Sequence, residues 1–188
     1  MNPEVLDRQT VYAGYMTVER LRLRLADGAE VVREVETHGD AVAVLPFDAV
    51  NRTALLVRLF RTPAFVHLGE ADLEEACAGM VEDEDAAESA RREAMEELGV
   101  SLGDLEMVGR VWPSPGVSAE RVTLYLAPYD PDDRIASGGG VEHEHEGITV
   151  LERPLAALAA QADAGAIVDL KLLALVQCLR TRRPDLFT

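Results

Sequence analysis

Positive charge is scarce in this chain. Its 188 residues carry 34 Asp and Glu against 18 Lys and Arg, for a net charge of -16, and Lys171 is its single lysine. Such a balance argues against nucleic acid as a partner, because its phosphates need a basic counter-surface. Small anionic substrates carried in with a divalent cation remain compatible with it. Cysteine is almost missing as well. Cys77 and Cys178 are too few for a disulfide framework and lack metal-ligand spacing, so both are expected to be buried free thiols. No apolar run approaches the roughly 18–20 residues of a membrane span, and the polar start "MNPEVLDRQT" has no apolar signal-peptide core. No membrane partner is expected, and a cytoplasmic location is. The 48% hydrophobic content suffices for one domain with a real core.

Several segments announce their structure. After a one-residue phase shift, "VERLRLRL" alternates through Val18, Leu21, Leu23 and Leu25, placing Arg20, Arg22 and Arg24 on the other face. Asp27-Gly28 then gives a strong hairpin signal, so residues 10–37 are expected to form a two-stranded hairpin. "AVAVLPF" (41–47) and "ALLVRLF" (54–60) are short apolar runs that predict buried strands. "GEADLEEACAG" leads through a short strand to Gly79. "LEMVGRVW" and "RVTLYLAPY" predict two further strands with the loop "SPGVSAE" between them. "SGGGVEHEHEG" (137–147) is a glycine-rich loop, and residues 154–165 and 169–183 predict two closing helices. A mixed sheet with helices on its faces fits this order.

Residues 86–98 predict another helix, with Asp85 as N-cap, Glu88 completing a capping box and Gly99 as the stop. Ala87, Ala90, Ala94 and Leu98 share one face, a small-residue stripe suited to close packing. This helix is the acidic centre of the chain: from Glu70 to Glu97 there are twelve acids, and only Arg91 and Arg92 oppose them. A charge run is most often a solvated surface. Here, however, Glu93 and Glu97 stand at i, i+4, where like charges repel, and Mg²⁺ seeks carboxylate oxygens together with substrate phosphate. A cation would turn the repulsion into a binding site.

The stretch "GMVEDEDAAESARREAMEELGV" (79–100) resembles the Nudix box, G-x5-E-x7-R-E-U-x-E-E-x-G-U with U aliphatic. Arg92, Glu93, Ala94, Glu96, Glu97, Gly99 and Val100 match in order. The spacing from Gly79 to Arg92 is one residue short, so the box acid is Glu84 counted from Arg92 or Asp85 counted from Gly79; we prefer Glu84. Outside the box, "LFR" (59–61), "SPG", "EEACAGM" and "GGGVEHEHEGITVLE" resemble the ADP-ribose pyrophosphatase branch, and within it the GDP-mannose hydrolases. The likeness covers about residues 10–180.

That resemblance implies an α+β Nudix fold, a mixed β-sheet between helices with an N-terminal β-hairpin. It implies one domain over 1–188, with a dimerisation hairpin at 10–37 and a catalytic core at 40–188, and a homodimer. Glu93, Glu97, Glu144 and the Ala78 carbonyl would hold Mg²⁺ (or Mn²⁺), with Arg92 orienting a box glutamate. Arg33, Glu34, Arg61, Ala78, Gly79, Glu120, His143 and Lys171 would meet the substrate, and Glu144, Glu120 or Glu93 would act as base. Gly138, Gly139 and Gly140 would let the loop close over the site. Blander roles compete for some of these residues: an ordinary ion pair with Glu88 or Glu96 for Arg92, a loop acid for Glu120, a solvated helix residue for Lys171. The group usually carries aspartates where His143 and His145 stand, and two glycines after "SP" where only Gly116 stands. The implied reaction converts GDP-mannose to GMP and mannose 1-phosphate. ADP-ribose, giving AMP and ribose 5-phosphate, is the alternative substrate, and an inactive Nudix domain serving as a nucleotide sensor is the alternative without catalysis.

Overall fold

In the computed structural model, residues 2–141 and 147–188 are described. Their contacts divide the chain into two compact units, Met1–Asp40 with Val111–Val122, and Ala41–Arg110 with Thr123–Thr188.

The first unit is built on a three-stranded antiparallel sheet, β1 (Glu4–Ala13), β2 (Thr17–Arg24) and β3 (Glu30–Thr37), in the order β1-β2-β3. The β2–β3 hairpin turns at Asp27-Gly28 as the sequence predicts, with Gly28 at φ 89° and its N–H donated to the Leu25 carbonyl at 2.9 Å. The expected two-stranded hairpin is corrected to three strands. Strand β1 was illegible because nearly all its residues are exposed, so no apolar alternation marks it. Arg20 and Arg24 on β2 reach across the sheet to Gln9, Glu4 and Glu30.

The second unit carries a seven-stranded sheet. Its main path runs β10-β5-β4-β9-β8, with β6 beside β5 and β7 beside β4. These strands are β4 (Ala41–Asp48), β5 (Thr53–Phe60), β6 (Asp72–Glu75), β7 (Cys77–Met80), β8 (Glu106–Val111), β9 (Val122–Pro128) and β10 (Thr149–Pro154). Strands β4 and β5 pair only where Phe47 and Asp48 meet Ala54 and Thr53. Beyond that they part like a fork: β6 follows β5 from Val57 to Phe60, and β7 follows β4 from Ala41 to Val44. The segment 72–80 therefore crosses from one prong to the other at Ala76. Pro46 lies on β4 between the two pairings, where a residue without an N–H costs no ladder bond.

Every residue of β4 is buried, so both faces of the sheet are covered. Val42 and Val44 share a cluster with Val57, Cys77, Ala90, Ala94 and Leu98, which seats α2 (Ala86–Glu93) on β4 and β7. Residues of opposite parity, Ala43, Leu45 and Phe47, face the other side, where α4 (Leu170–Arg182) contacts β4 and α3 (Leu155–Asp163) packs on α4. This is the expected α+β sandwich. A short helix α1 (Thr62–Leu68) was not foreseen from the sequence. It has a proline in its first turn and Gly69 as its left-handed stop, but buries no residue, so it shows no apolar period. No helix among the described residues is long and apolar enough to cross a membrane.

Candidate active site

The acidic helix is held at both ends. At its start Asp85 accepts the N–H groups of Ala87 and Glu88 at 2.9 and 3.0 Å, which satisfies two of the orphan donors of a helix N-terminus. Glu88 is drawn to Arg91 at 2.7 Å, so the N-cap forms while the predicted Glu88 half of the box is engaged elsewhere. At its end the helix differs from a continuous α-helix over 86–98: it widens into a π-turn over Ala94–Leu98 and stops at Gly99, φ 70°. Turns of this kind concentrate at functional sites. The glycine-rich loop secures this end, because Gly139 and Gly140 donate to the carbonyls of Glu97 and Glu96 at 2.8 and 3.0 Å. Gly138 packs so tightly that a β-carbon there would stand 2.4 Å from the Glu97 carbonyl oxygen. In this structure these glycines anchor the base of the loop to the helix.

The helix lays its carboxylates along the segment that crosses the fork. Glu97, 4% exposed, accepts the Ala78 N–H at 3.1 Å. In an extended strand the N–H and C=O of a residue point to the same side, so the Ala78 carbonyl is also directed away from β4 and toward the Glu97 side. Glu93 lies over Gly79: a β-carbon on that glycine would stand 1.9 Å from its Oε1. Arg92 gathers the remaining acids. Its guanidinium donates to Glu84 at 2.8 Å, to Glu96 at 3.0 Å and to the Met80 carbonyl at 3.3 Å, and it pairs with Glu93 at 2.9 Å. Burial alone would lower the Arg92 pKa, but the Glu84 hydrogen bond and the charges of Glu93, Glu96 and Glu84 hold it above its ordinary value. Glu84 is thus the acid held by Arg92, and Asp85 is the helix cap.

Beneath these carboxylates sits Cys77, fully buried. Burial, reinforced by the charge of Glu97 and a hydrogen bond to it, pushes the thiol well above its ordinary pKa. Cys178, the other free cysteine, is only partly buried, against the expectation of two buried thiols.

The donor set is all oxygen, which suits a hard cation such as Mg²⁺: the carboxylates of Glu93 and Glu97 and the Ala78 carbonyl. Among the described residues no three Asp, Glu, His or Cys side chains converge as a ready-made cage. The third expected carboxylate, Glu144, lies outside the described residues, as do His143 and His145.

A second constellation stands at the fork itself. Glu75, 4% exposed, receives Arg61 through two bonds of 2.7 and 3.0 Å and the Lys171 ammonium at 3.1 Å. Lys171 also donates to Asp169 at 2.8 Å. Asp169 caps α4 through the N–H of Leu172 at 3.0 Å and accepts the Ala76 N–H at 3.1 Å. Burial would raise the Glu75 pKa, but the Arg61 hydrogen bond and the Lys171 charge bring it below its ordinary value. Burial would likewise lower Lys171, and Asp169 and Glu75 together hold it above its ordinary value. The expected residues Arg61 and Lys171 are therefore brought together, by two acids to which sequence reasoning gave no role. The one local signal was a glutamate at a core-facing position, with Leu73 and Cys77 two residues to either side.

The other expected residues lie in the first unit. Arg33 and Glu34 are exposed on β3, opposite Leu21 and Arg20 of β2. Glu120 is paired with His38, its Oε1 3.6 Å from Nε2, and the other ring nitrogen of His38 bonds Glu36. The Glu120 N–H is fixed on the Ser118 hydroxyl at 3.0 Å.

Residues 37–175 match the NUDIX domain family. A GDP-mannose pyrophosphatase of Pectobacterium atrosepticum is 40% identical over 147 residues, covering 78% of this chain and 75% of that protein. One of Cronobacter sakazakii is 35% identical over 189 residues, covering 97% of each. The crystal structure of an ADP compounds hydrolase superposes with a TM-score of 0.80 at 21% identity, over 98% of this chain and 96% of that one, a likeness of fold. The match over residues 37–175 and these relatives place the chain in the NUDIX domain family, as a hydrolase of the pyrophosphatase class.

Proposed function

We propose that the protein hydrolyses the pyrophosphate of a nucleoside diphosphate sugar with Mg²⁺ (or Mn²⁺), and that GDP-mannose is its substrate. The observation that carries this reading is the pair Glu93 and Glu97, laid on Gly79 and Ala78 at the edge of β7. The relatives named GDP-mannose pyrophosphatase and the loop "GGGVEHEHEG" support the choice of sugar nucleotide.

In the proposed reaction water attacks one phosphorus and the bond from that phosphorus to the bridging oxygen breaks, giving GMP and mannose 1-phosphate. Bound between Glu93, Glu97, Glu144 and the Ala78 carbonyl, Mg²⁺ would supply charge neutralisation on the phosphate oxygens and a more acidic water. Arg92 keeps Glu93 and Glu96 in place. A carboxylate takes the water's proton, with Glu144, Glu120 and Glu93 as candidates. Arg61 and Lys171 supply donors for substrate oxygens, the guanidinium being suited to paired contacts; Arg33, Glu34 and His143 complete the proposed substrate contacts. Residues 1–188 would act as one functional domain in a cytoplasmic homodimer. Exposed Val5, Val11 and Tyr12 on β1 support pairing through the N-terminal strands.

ADP-ribose is the second substrate to try, because the fold matches an ADP compounds hydrolase. Purified protein with Mg²⁺ is assayed against GDP-mannose and ADP-ribose with phosphorus NMR of the products. Faster turnover of GDP-mannose is expected. Faster turnover of ADP-ribose reverses the assignment, and turnover of neither, with nucleotide still bound, points to a sensor.

A further inference from the structure

The segment 75–79 joins two charged centres across the fork. Its N–H groups at Ala76 and Ala78 are each taken by a carboxylate, from Asp169 and Glu97. These sites are two residues apart on the segment that crosses the fork. Glu93 and Glu97 therefore serve one end of this segment and the Arg61–Glu75–Lys171–Asp169 group serves the other. Within that group the side chain of Glu75 is 6% exposed, while Arg61 is 40% and Lys171 23% exposed. The carboxylate is inside and the two cations have their outer sides toward water. Arg61 is held by both Nε and Nη2, which fixes the plane of its guanidinium.

We propose that Glu75 is a positioning residue: buried at the fork, it sets the Arg61 guanidinium and the Lys171 ammonium side by side as one recognition pair for substrate oxygens beyond the metal-bound pyrophosphate. This rests on the proposed function in that the pair is taken to meet a nucleoside diphosphate sugar. Asp169 completes the arrangement by fixing Lys171 from the N-terminus of α4. A purely structural ion cluster would give stability alone; a recognition pair also sets KM.

The test is steady-state kinetics with GDP-mannose and Mg²⁺ on wild type, Glu75→Gln, the double variant R61A/K171A and the triple variant. Calorimetric titration of GDP-mannose into each protein in EDTA runs beside it. Glu75→Gln is expected to raise KM about tenfold with kcat within about twofold, the signature of lost uniform binding. In the R61A/K171A background it is expected to change KM no further, because its effect passes through those two cations. Should Glu75→Gln melt below the assay temperature, Arg61→Lys, which keeps charge but cannot chelate in a plane, is expected to raise KM similarly. An unchanged KM in folded Glu75→Gln or Arg61→Lys overturns the inference, as does a rise that persists in full in the triple variant. Wild-type protein that binds GDP-mannose without cleaving it defeats the proposed function alone; the titration then carries the same comparison, and equal affinity of wild type and Glu75→Gln overturns the inference. Wild type that neither binds nor cleaves GDP-mannose overturns both.

Discussion

The Glu93 carboxylate rests on the bare backbone of Gly79, where a β-carbon would approach its Oε1 to 1.9 Å. The box glycine is thus the space in which a box glutamate lies. Gly79→Ala is expected to push Glu93 aside and reduce kcat/KM about 100-fold, since displacements of an ångström cost that much at a reacting centre. The fall is measured by initial rates on GDP-mannose, with circular dichroism showing that the fold is retained. Unchanged kcat/KM would mean that Glu93 reaches its working position from elsewhere.

Glu75 makes stability depend on acid. Its folded pKa lies below the ordinary 4.5, so the folded protein binds fewer protons than the unfolded chain in the acid range. The contribution is complete above 4.5 and disappears as pH falls below it through the folded value. Urea unfolding at pH 7 and pH 3.5 should therefore show wild type losing more stability than Glu75→Gln does. At pH 7 the variant is expected to be about 3 kcal/mol less stable, the low end of the cost of breaking a buried pair, because Lys171 keeps its bond to Asp169. Lys171 acts in the opposite sense: its pKa is raised from the ordinary 10.5, so its contribution is complete below that value and is lost as pH rises above it.

Asp85 is read as helix cap and Glu84 as the acid paired with Arg92, and the two roles separate by experiment. Asp85→Ala is expected to cost about 1 kcal/mol, the usual value of a lost N-cap, and to lower Tm by about 2–4 °C in a chain of this size, with kcat nearly intact. Glu84→Gln is expected to lower kcat with a smaller change in Tm. The reverse pattern in paired melting and rate measurements would move the box acid to Asp85.

The Nudix box was legible because its residues fall within 22 consecutive positions, 79–100, and helix geometry alone brings Glu93 to Glu97. Strands β4 and β5 and helices α2, α3 and α4 were legible from apolar runs and caps. Strand β1 and helix α1 were not, since neither buries the periodic face from which such elements are read. The Glu75–Lys171 pair spans 96 positions and exists only because α4 docks beside the fork in the sheet. Pro46 inside an otherwise continuous apolar strand was the one sign that β4 changes partner. The π-turn at Ala94–Leu98 was not legible either, and two of its carbonyls, those of Glu96 and Glu97, accept from glycines more than forty positions away in the chain.

The central claim is that Glu93 and Glu97 hold a divalent cation against a pyrophosphate. It is tested most directly by titrating Mg²⁺ into wild type and Glu97→Gln while following both Tm and GDP-mannose hydrolysis. Wild type is expected to gain about 2.7 kcal/mol of stability at 100 times the dissociation constant and to become active over the same Mg²⁺ range. Glu97→Gln is expected to lose that shift and at least about 100-fold in kcat. A Glu97→Gln protein that hydrolyses GDP-mannose at the wild-type rate, with the same Mg²⁺ dependence, would contradict the account.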